Sequence, residues 1–453
     1  MFSLLNKIYT DEAGGLHQYK ELFSVGSSSM VGTAIEFYDF FIYGTAAALV
    51  FPHLFFPSLS PVAGIIASYG SLAVTFLSRP IGAIVFGHYG DKTGRKSVLI
   101  LSLLIMGFAT FLIGCIPTYN SIGILAPILL VVLRLIQGFA LGGEWGGATT
   151  MLIEYAPAGH RGFFGTFVQL GNVVGLFLST GAIAIIPASI FLEWGWRIPF
   201  LLSIVILGIG LFIRLHVKES PVFTAMKANA DGEETAKNSM PLLQLLKSGR
   251  KEIAVAMGMR MGEIVLGFTV CTYILSYVTH NLGLDRSVAL NAVLCSAAVA
   301  LITFPMFGAI SDKVGRKPVY LFGAIVTLLF AFPMFWLIDS GNVWILYASI
   351  IFAYSIGLGA MFSVQPAFFS ELFKTNVRYT GISLGFQMAG LVGGLTPMIA
   401  TILVDSADGA SWPISLFLAF MCLISIACVY LATETFKKKL ATDTGDISHA
   451  HIE

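Results

Sequence analysis

The sequence predicts an all-α membrane protein of twelve transmembrane helices in two pseudo-symmetric six-helix bundles. Three observations carry this. First, the 453 residues are 56% hydrophobic and 11% charged, with a mean hydropathy of +0.84, whereas a soluble domain has about 25% charged residues. Second, apolar runs of the roughly 20 residues needed to cross lipid recur along the chain. Third, the decapeptide Gly-His-Tyr-Gly-Asp-Lys-Thr-Gly-Arg-Lys at 87–96 returns at 308–317 as Gly-Ala-Ile-Ser-Asp-Lys-Val-Gly-Arg-Lys, identical at six of ten positions. A second repeat follows each copy: Glu154 to Arg161 and Glu371 to Arg378 are both Glu-x6-Arg. Parallel halves of this kind in a membrane protein point to alternating access.

The predicted spans follow in order. Run 24–52 opens the first half, and 62–88 and 97–116 flank the first decapeptide. Runs 122–152 and 162–190 flank the first Glu-x6-Arg pair, and 196–215 closes the half. Runs 251–280, 287–310, 318–338, 343–370, 378–404 and 412–433 repeat the pattern around the second decapeptide and the second pair. All must be helical, because open sheet edges are not satisfied in lipid. The polar stretch 216–250 divides a bundle at 1–215 from a bundle and short tail at 251–453. Of the 26 Lys and Arg, those in loops cluster on the side of both termini and the linker; only Arg197 and Arg286 fall on the other. The positive-inside rule therefore makes the termini and the linker cytoplasmic.

Several classes drop out. A net charge of +1 gives no field for a nucleic-acid partner. Residues 1–23 hold Asp11, Glu12, Lys20 and Glu21 and no apolar run, unlike a secretory signal. Cys115, Cys271, Cys295, Cys422 and Cys428 lie in apolar runs with no metal-ligand spacing, so they read as small buried side chains rather than metal ligands or disulfides. Gly90 to Ser97 superficially suggests a phosphate loop but lacks the Gly-x4-Gly-Lys-[Ser/Thr] spacing and a preceding strand.

Chemistry is expected where charges lie inside spans, since each costs roughly 2.5–3.5 kcal/mol there unless it faces a cavity or a partner. Glu36, Asp39, Arg79, Arg134, Glu144, Arg260 and Glu263 qualify. Glu36 and Asp39 stand three apart on one helix face. Close carboxylates in a low dielectric raise each other's proton affinity, which suits a transported proton. The bland alternative is a permanent bridge to a neighbouring Arg. Arg134, just before Gln137 and Gly138, keeps its charge and offers a planar fork for a carboxylate. It either pairs with Asp39, holds an anionic substrate, or exchanges between them. Glu144, among glycines, reads as a structural partner near the cytoplasmic end. Arg260 and Glu263, also three apart, either pair with each other or bind substrate. Arg79 gates, binds substrate, or snorkels. Tyr43, Gln137, Gln169, Asn172, Tyr273, Gln365 and Gln387 are candidates to complete a pocket. Gly171-x-x-x-Gly175 and Gly390-x-x-Gly393-Gly394 read as close helix contacts. Asp91 and Arg95, with Asp312 and Arg316 in the second copy, suggest a charge latch between cytoplasmic helix ends in which Asp91 meets a helix N-terminus. Glu154, Arg161, Glu371 and Arg378 are assigned to the same cytoplasmic gate, which would favour the outward-open state.

The repeated Gly-x3-Asp-Lys-x-Gly-Arg-Lys, with twelve spans and Arg134-x-x-Gln137-Gly138, resembles the loop signature of the major facilitator superfamily. Glu36-Phe-Tyr-Asp39-Phe, Ser78-Arg79-Pro80-Ile-Gly82, Gln137 to Ala148 and Trp194-Gly-Trp196-Arg197-Ile-Pro199-Phe200 narrow this to the metabolite:proton symporter family. Arg260-x-x-Glu263 and Gln365-Pro366 through Arg378 to Gln387 look most like its shikimate-permease branch. Phe37 departs from the Trp frequent in that family. The resemblance implies a bacterial inner-membrane transporter, without cofactor, that imports a small organic anion with protons and acts as a monomer. Asp39, with Glu36, would take the proton, Arg134 would be its counter-charge, and Arg79 and Arg260 would add positive field. The rival reading is a proton symporter of a zwitterion such as proline or betaine, against which the intramembrane arginines count. A membrane enzyme or channel finds no supporting motif.

Overall fold

The computed structural model describes residues 15–93, 95–142, 144–216, 249–373 and 378–437. The predicted linker lies almost wholly outside them. Each predicted span is a helix: α1 (Gly15–Leu49), α2 (Pro61–Thr93), α3 (Arg95–Cys115), α4 (Leu125–Tyr155), α5 (Arg161–Ala184), α6 (Arg197–His216), α7 (Arg250–Asn281), α8 (Arg286–Val314), α9 (Arg316–Asp339), α10 (Val343–Leu372), α11 (Arg378–Ser406) and α12 (Trp412–Leu431). By length and composition, all but α1 and α6 are apolar enough over at least 18 residues to cross a membrane. α1 carries Glu36 and Asp39, and the apolar part of α6 is the shorter Arg197–Ile213. The outer helices expose apolar side chains at helical spacing: Leu101, Phe108 and Leu112 on α3, Val205, Ile209 and Phe212 on α6, Leu416, Phe420 and Leu423 on α12. In water such stripes would demand burial; here they are the lipid face.

Packing repeats with an offset of six helices. α1 packs on α5 as α7 packs on α11, α2 on α4 as α8 on α10, and α3 on α6 as α9 on α12. The two broadest seams between the halves are α2 against α11 and α5 against α8, and these are again equivalent under the same offset; α4 against α11 and α5 against α10 add narrower contacts. The packing thus gives two pseudo-symmetric bundles.

Boundaries differ from the hydropathy reading where polar residues continue a helix. α2 runs to Thr93 and α8 to Val314, so the decapeptides are mainly helix ends rather than loops. At the end of α8 Asp312 keeps partners of its own and Lys313 is exposed, so the helix carries both, and only the turn itself needs glycine: Gly315 has φ +106°, a left-handed conformation that disfavours side chains. α1 stops at Leu49, and a separate short helix spans Phe51–Leu54 with Pro52 in its first turn, where a missing N–H is harmless. Two helices loosen where they face the other half. α7 has π-helical turns at Thr269–Tyr273 and Tyr277–Asn281, and α10 at Ala353–Leu358. Such turns in long helices cluster at functional sites.

The glycine pairs read from the sequence lie at close contacts. A Cβ on Gly175 would sit 2.6 Å from the Ala34 carbonyl oxygen and 2.8 Å from the Tyr38 nitrogen, both α1 backbone atoms that cannot yield. Gly175→Val should therefore separate α5 from α1. Overpacking typically costs about 1–3 kcal/mol, so a clear fall in the detergent melting temperature is expected. An unchanged melting temperature would refute this packing.

Candidate functional site

Between the bundles, α1, α2 and α5 meet α7, α10 and α11 around a buried cavity of about 60 Å³. Its polar lining is Arg79 and Asn172 from the first bundle, and Arg260, Glu263, Thr272, Tyr354 and Gln387 from the second. Its walls are Phe37, Phe40, Phe41, Phe76, Phe268 and Phe386.

α2 places Arg79 with its Nη1 3.8 Å from Glu36 Oε1 on α1 and its guanidinium 4.4 Å over the Phe76 ring. Its buried Nε has no hydrogen-bond partner. α7 presents Arg260 and Glu263 one turn apart on one face. Arg260 Nε donates to Glu263 Oε2 at 3.1 Å, Nη1 donates to the Phe386 carbonyl at 2.6 Å, and the guanidinium lies 3.4 Å over the Phe386 ring. Gln365 Nε2 donates to the same Glu263 oxygen at 3.0 Å and to the Tyr320 hydroxyl at 3.2 Å. Across the halves, Tyr354 donates to Asn172 Oδ1 at 3.1 Å. Arg260 thus pairs with Glu263, as one of the two readings had it, and also lines the cavity.

A second polar layer lies inside the first bundle. Asp39 is 1% exposed. Its Oδ2 accepts from the Thr110 hydroxyl at 2.8 Å, while Oδ1 has no partner. Gln137 Nε2 donates to Thr110 Oγ1 at 2.7 Å, and Arg134 Nη1 donates to Gln137 Oε1. Asp39 and Arg134 are thus joined through Thr110 and Gln137, not by the direct ion pair that their types suggest. Arg134 lies 3.7 Å over the Tyr43 ring, with Nε and Nη2 buried and unpartnered. Tyr43 shares a 2.6 Å hydrogen bond with Ser71. Buried polar atoms without partners normally mark a water, an ion or a functional group in waiting. Glu144, buried, begins the second piece of α4. Nearby, Trp145 stacks on Phe386 with centroids 3.7 Å apart and donates to Gln169, whose own Nε2 donates to the Phe362 carbonyl at 2.8 Å. Gln387 Nε2 reaches the Gly142 carbonyl at 3.3 Å.

The cavity thus gathers Arg79, Arg260, Glu263, Asn172 and Gln387 from the predicted residues. Arg134, Gln137, Tyr43, Gln169 and Gln365 stand behind its wall; Tyr273, also raised from the sequence, is buried but does not line it. The sequence reading missed Thr110, whose bridging role leaves no pattern, and the phenylalanine wall. Its one visible hint was the run of rings beside Glu36 and Asp39.

Both ends of the seam are bridged. At one end Asp312 caps α5 of the other bundle: its carboxylate accepts from the Gly162 and Phe163 amides at 2.7 and 2.8 Å. The helix N-terminus favours this charge. Asp312 also pairs with Arg316 at 2.7 Å, and Arg316 forms a bidentate pair with Glu371 at 3.1 and 3.2 Å. Arg378 lies 3.6 Å from Glu154 across the halves. Arg161 is buried beside them at the start of α5. Thr435 donates to Glu371, and Glu434 accepts from the Arg316 and Lys317 amides, so the segment after α12 is tied into this cluster. The side chains of Asp91 and Arg95 lie outside the described residues. At the opposite end Tyr69 bonds Ser276 at 2.6 Å and Arg286 donates to the Ile186 carbonyl at 2.7 Å. Asp312→Ala should strip two amides of their cap, worth about 0.5–2 kcal/mol. Hydrogen exchange at Gly162 and Phe163 should speed up roughly two- to thirtyfold, taking 1.4 kcal/mol per decade; unaltered protection would refute the cap.

The profile of the Sugar (and other) transporter family matches residues 27–241 and again 231–442. The Shikimate transporter of Escherichia coli K12 is 39% identical over 413 residues, covering 90% of this chain and 93% of that protein. The Inner membrane metabolite transport protein YhjE of the same organism is 37% identical, covering 91% and 94%. Its Proline/betaine transporter is 31% identical, covering 91% and 84%. Among solved structures, the major facilitator superfamily proton:xylose symporter XylE aligns with a TM-score of 0.74 at 18% identity, over 94% of this chain and 99% of that one. That last likeness establishes the fold.

Proposed function

This chain belongs to the Sugar (and other) transporter family, a multi-pass transporter of the bacterial inner membrane rather than an enzyme, and we propose that it is a proton-coupled symporter importing a small organic anion, shikimate-like or dicarboxylate-like, by alternating access. The observation that carries this reading is that two buried arginines, Arg79 and Arg260, one from each bundle, line a single cavity bridged over at both ends. A carboxylate entering there meets two planar donors from opposite halves, the geometry in which arginine binds it best. It then draws the halves together, which is how binding energy drives closure.

Asp39, with Glu36 behind Arg79, is the proton site. Thr110 and Gln137 relay its charge state to Arg134, so protonation of Asp39 changes how firmly Arg134 is held. The residues at 154, 161, 312, 316, 371 and 378, with Asp91 and Arg95 by repeat, form the cytoplasmic gate. The bundles 1–215 and 251–453 are joined by a cytoplasmic linker at 216–250, both termini are cytoplasmic, and the working unit is the monomer. Proteoliposome uptake of a panel of carboxylates, with and without an imposed inward proton gradient, tests the reading. Saturable, gradient-stimulated uptake of at least one carboxylate is expected; transport indifferent to the gradient would sink it.

One observation favours a zwitterion instead. The rings of Phe40, Phe76 and Phe268 pack edge-to-face within 5.3–5.9 Å beside Glu263. Such faces attract quaternary ammonium groups, and a Proline/betaine transporter is among the relatives. Competition of uptake by betaine but not by carboxylates would select this alternative.

A further inference from the structure

At the end of the seam opposite the Asp312 cluster, His53 in the short helix after α1 and His280 in the last turn of α7 face each other, one from each bundle. Their ring centroids are 6.5 Å apart with planes inclined by 37°. Both side chains are exposed. We propose that this pair is a binding site for one divalent transition-metal ion of the zinc class, which staples α1 to α7 and holds that mouth of the seam closed.

Imidazole is a preferred ligand for zinc, at metal–nitrogen distances of about 2.0–2.1 Å. Two rings sharing a tetrahedral ion have centroids roughly 5 Å apart on those bond lengths, so an inward movement of about 1–1.5 Å seats the ion. Both residues lie in the last turn of a helix with their own side chains exposed. Among the described residues no third protein ligand joins the pair, so water completes the coordination and the ion stays exchangeable. The seam beneath is already shut by Tyr69 on Ser276 and by Gly44 lying against Thr272. An ion across the histidines adds a bond that must break before α1 and α7 part.

The test uses the full chain in detergent with zinc chloride as the probe, and needs no knowledge of the substrate. An ion that binds only the folded protein raises the melting temperature with its concentration. Wild type should show a saturable rise with one zinc bound per chain by calorimetry. His53→Ala and His280→Ala should each weaken that binding by at least the roughly 10-fold that losing a mere outer-shell partner costs, with unchanged melting in the absence of zinc. Zinc should also slow hydrogen exchange at both 50–54 and 276–282 in wild type and at neither in the double variant. The C-terminal His449 and His451 remain in every variant as a control. Zinc stabilisation that survives in the double variant, protection at one segment alone, or no zinc-induced rise in wild type would each overturn the site.

Discussion

Asp39→Asn is expected to abolish uphill uptake while leaving exchange between preloaded pools. Asparagine keeps the shape and still accepts from Thr110, so the Thr110–Gln137–Arg134 relay survives. What is lost is the charge that a proton can cancel. With no group to load and unload, a pH gradient of one unit, worth about 1.4 kcal/mol per proton or a tenfold accumulation, no longer moves cargo uphill. The accumulation ratio in proteoliposomes should fall to about one, while counterflow continues at a comparable rate because it never requires the empty, deprotonated return. Retained gradient-driven accumulation would remove Asp39 from the coupling scheme.

The second large effect is at Arg260. Removing this guanidinium deletes a donor from the cavity and leaves Glu263 as a buried charge with only Gln365 beside it. Truncating one member of a buried pair typically costs about 3–5 kcal/mol of stability, and a hydrogen-bonded charge in a binding site about 2–5 kcal/mol of affinity. Arg260→Ala should therefore both lower the melting temperature and weaken substrate binding by roughly 30-fold or more. The double variant Arg260→Ala/Glu263→Gln separates the two consequences: neutralising Glu263 should restore most of the melting temperature but none of the affinity. Binding that recovers together with stability would show that Arg260 serves only as a counter-ion for Glu263.

Much of this architecture was legible because hydropathy reports length and the repeats report symmetry. The decapeptides and the Glu-x6-Arg pairs located helix ends and the ion-pair cluster at one end of the seam without a structure. The functional layer was only half readable. Charge in an apolar run flagged Arg79, Arg260, Glu263 and Asp39, because lipid makes charge expensive. It could not say that Arg79 and Arg260 face the cavity while Arg134 sits behind it, since the cost of burial is the same in both places. Thr110 was invisible because a threonine bonding its own helix backbone, as it also does to Met106 at 3.0 Å, is common in such helices. The phenylalanine wall was hidden by abundance: with 37 Phe in the chain, a ring lining a cavity looks like a ring facing lipid. The π-helical turns in α7 and α10 carry no composition signal at all.

The paired seams, α2 with α11 and α5 with α8, have a mechanical corollary. A lid on one hinge can be pried from one side; this molecule is held chiefly along two symmetry-related edges, so a load on one is shared by the other. Loosening one edge, as Asp312→Ala does at α5, transfers strain to its twin rather than tearing the leaf open. Damage to a single edge should therefore weaken the junction without separating the two halves.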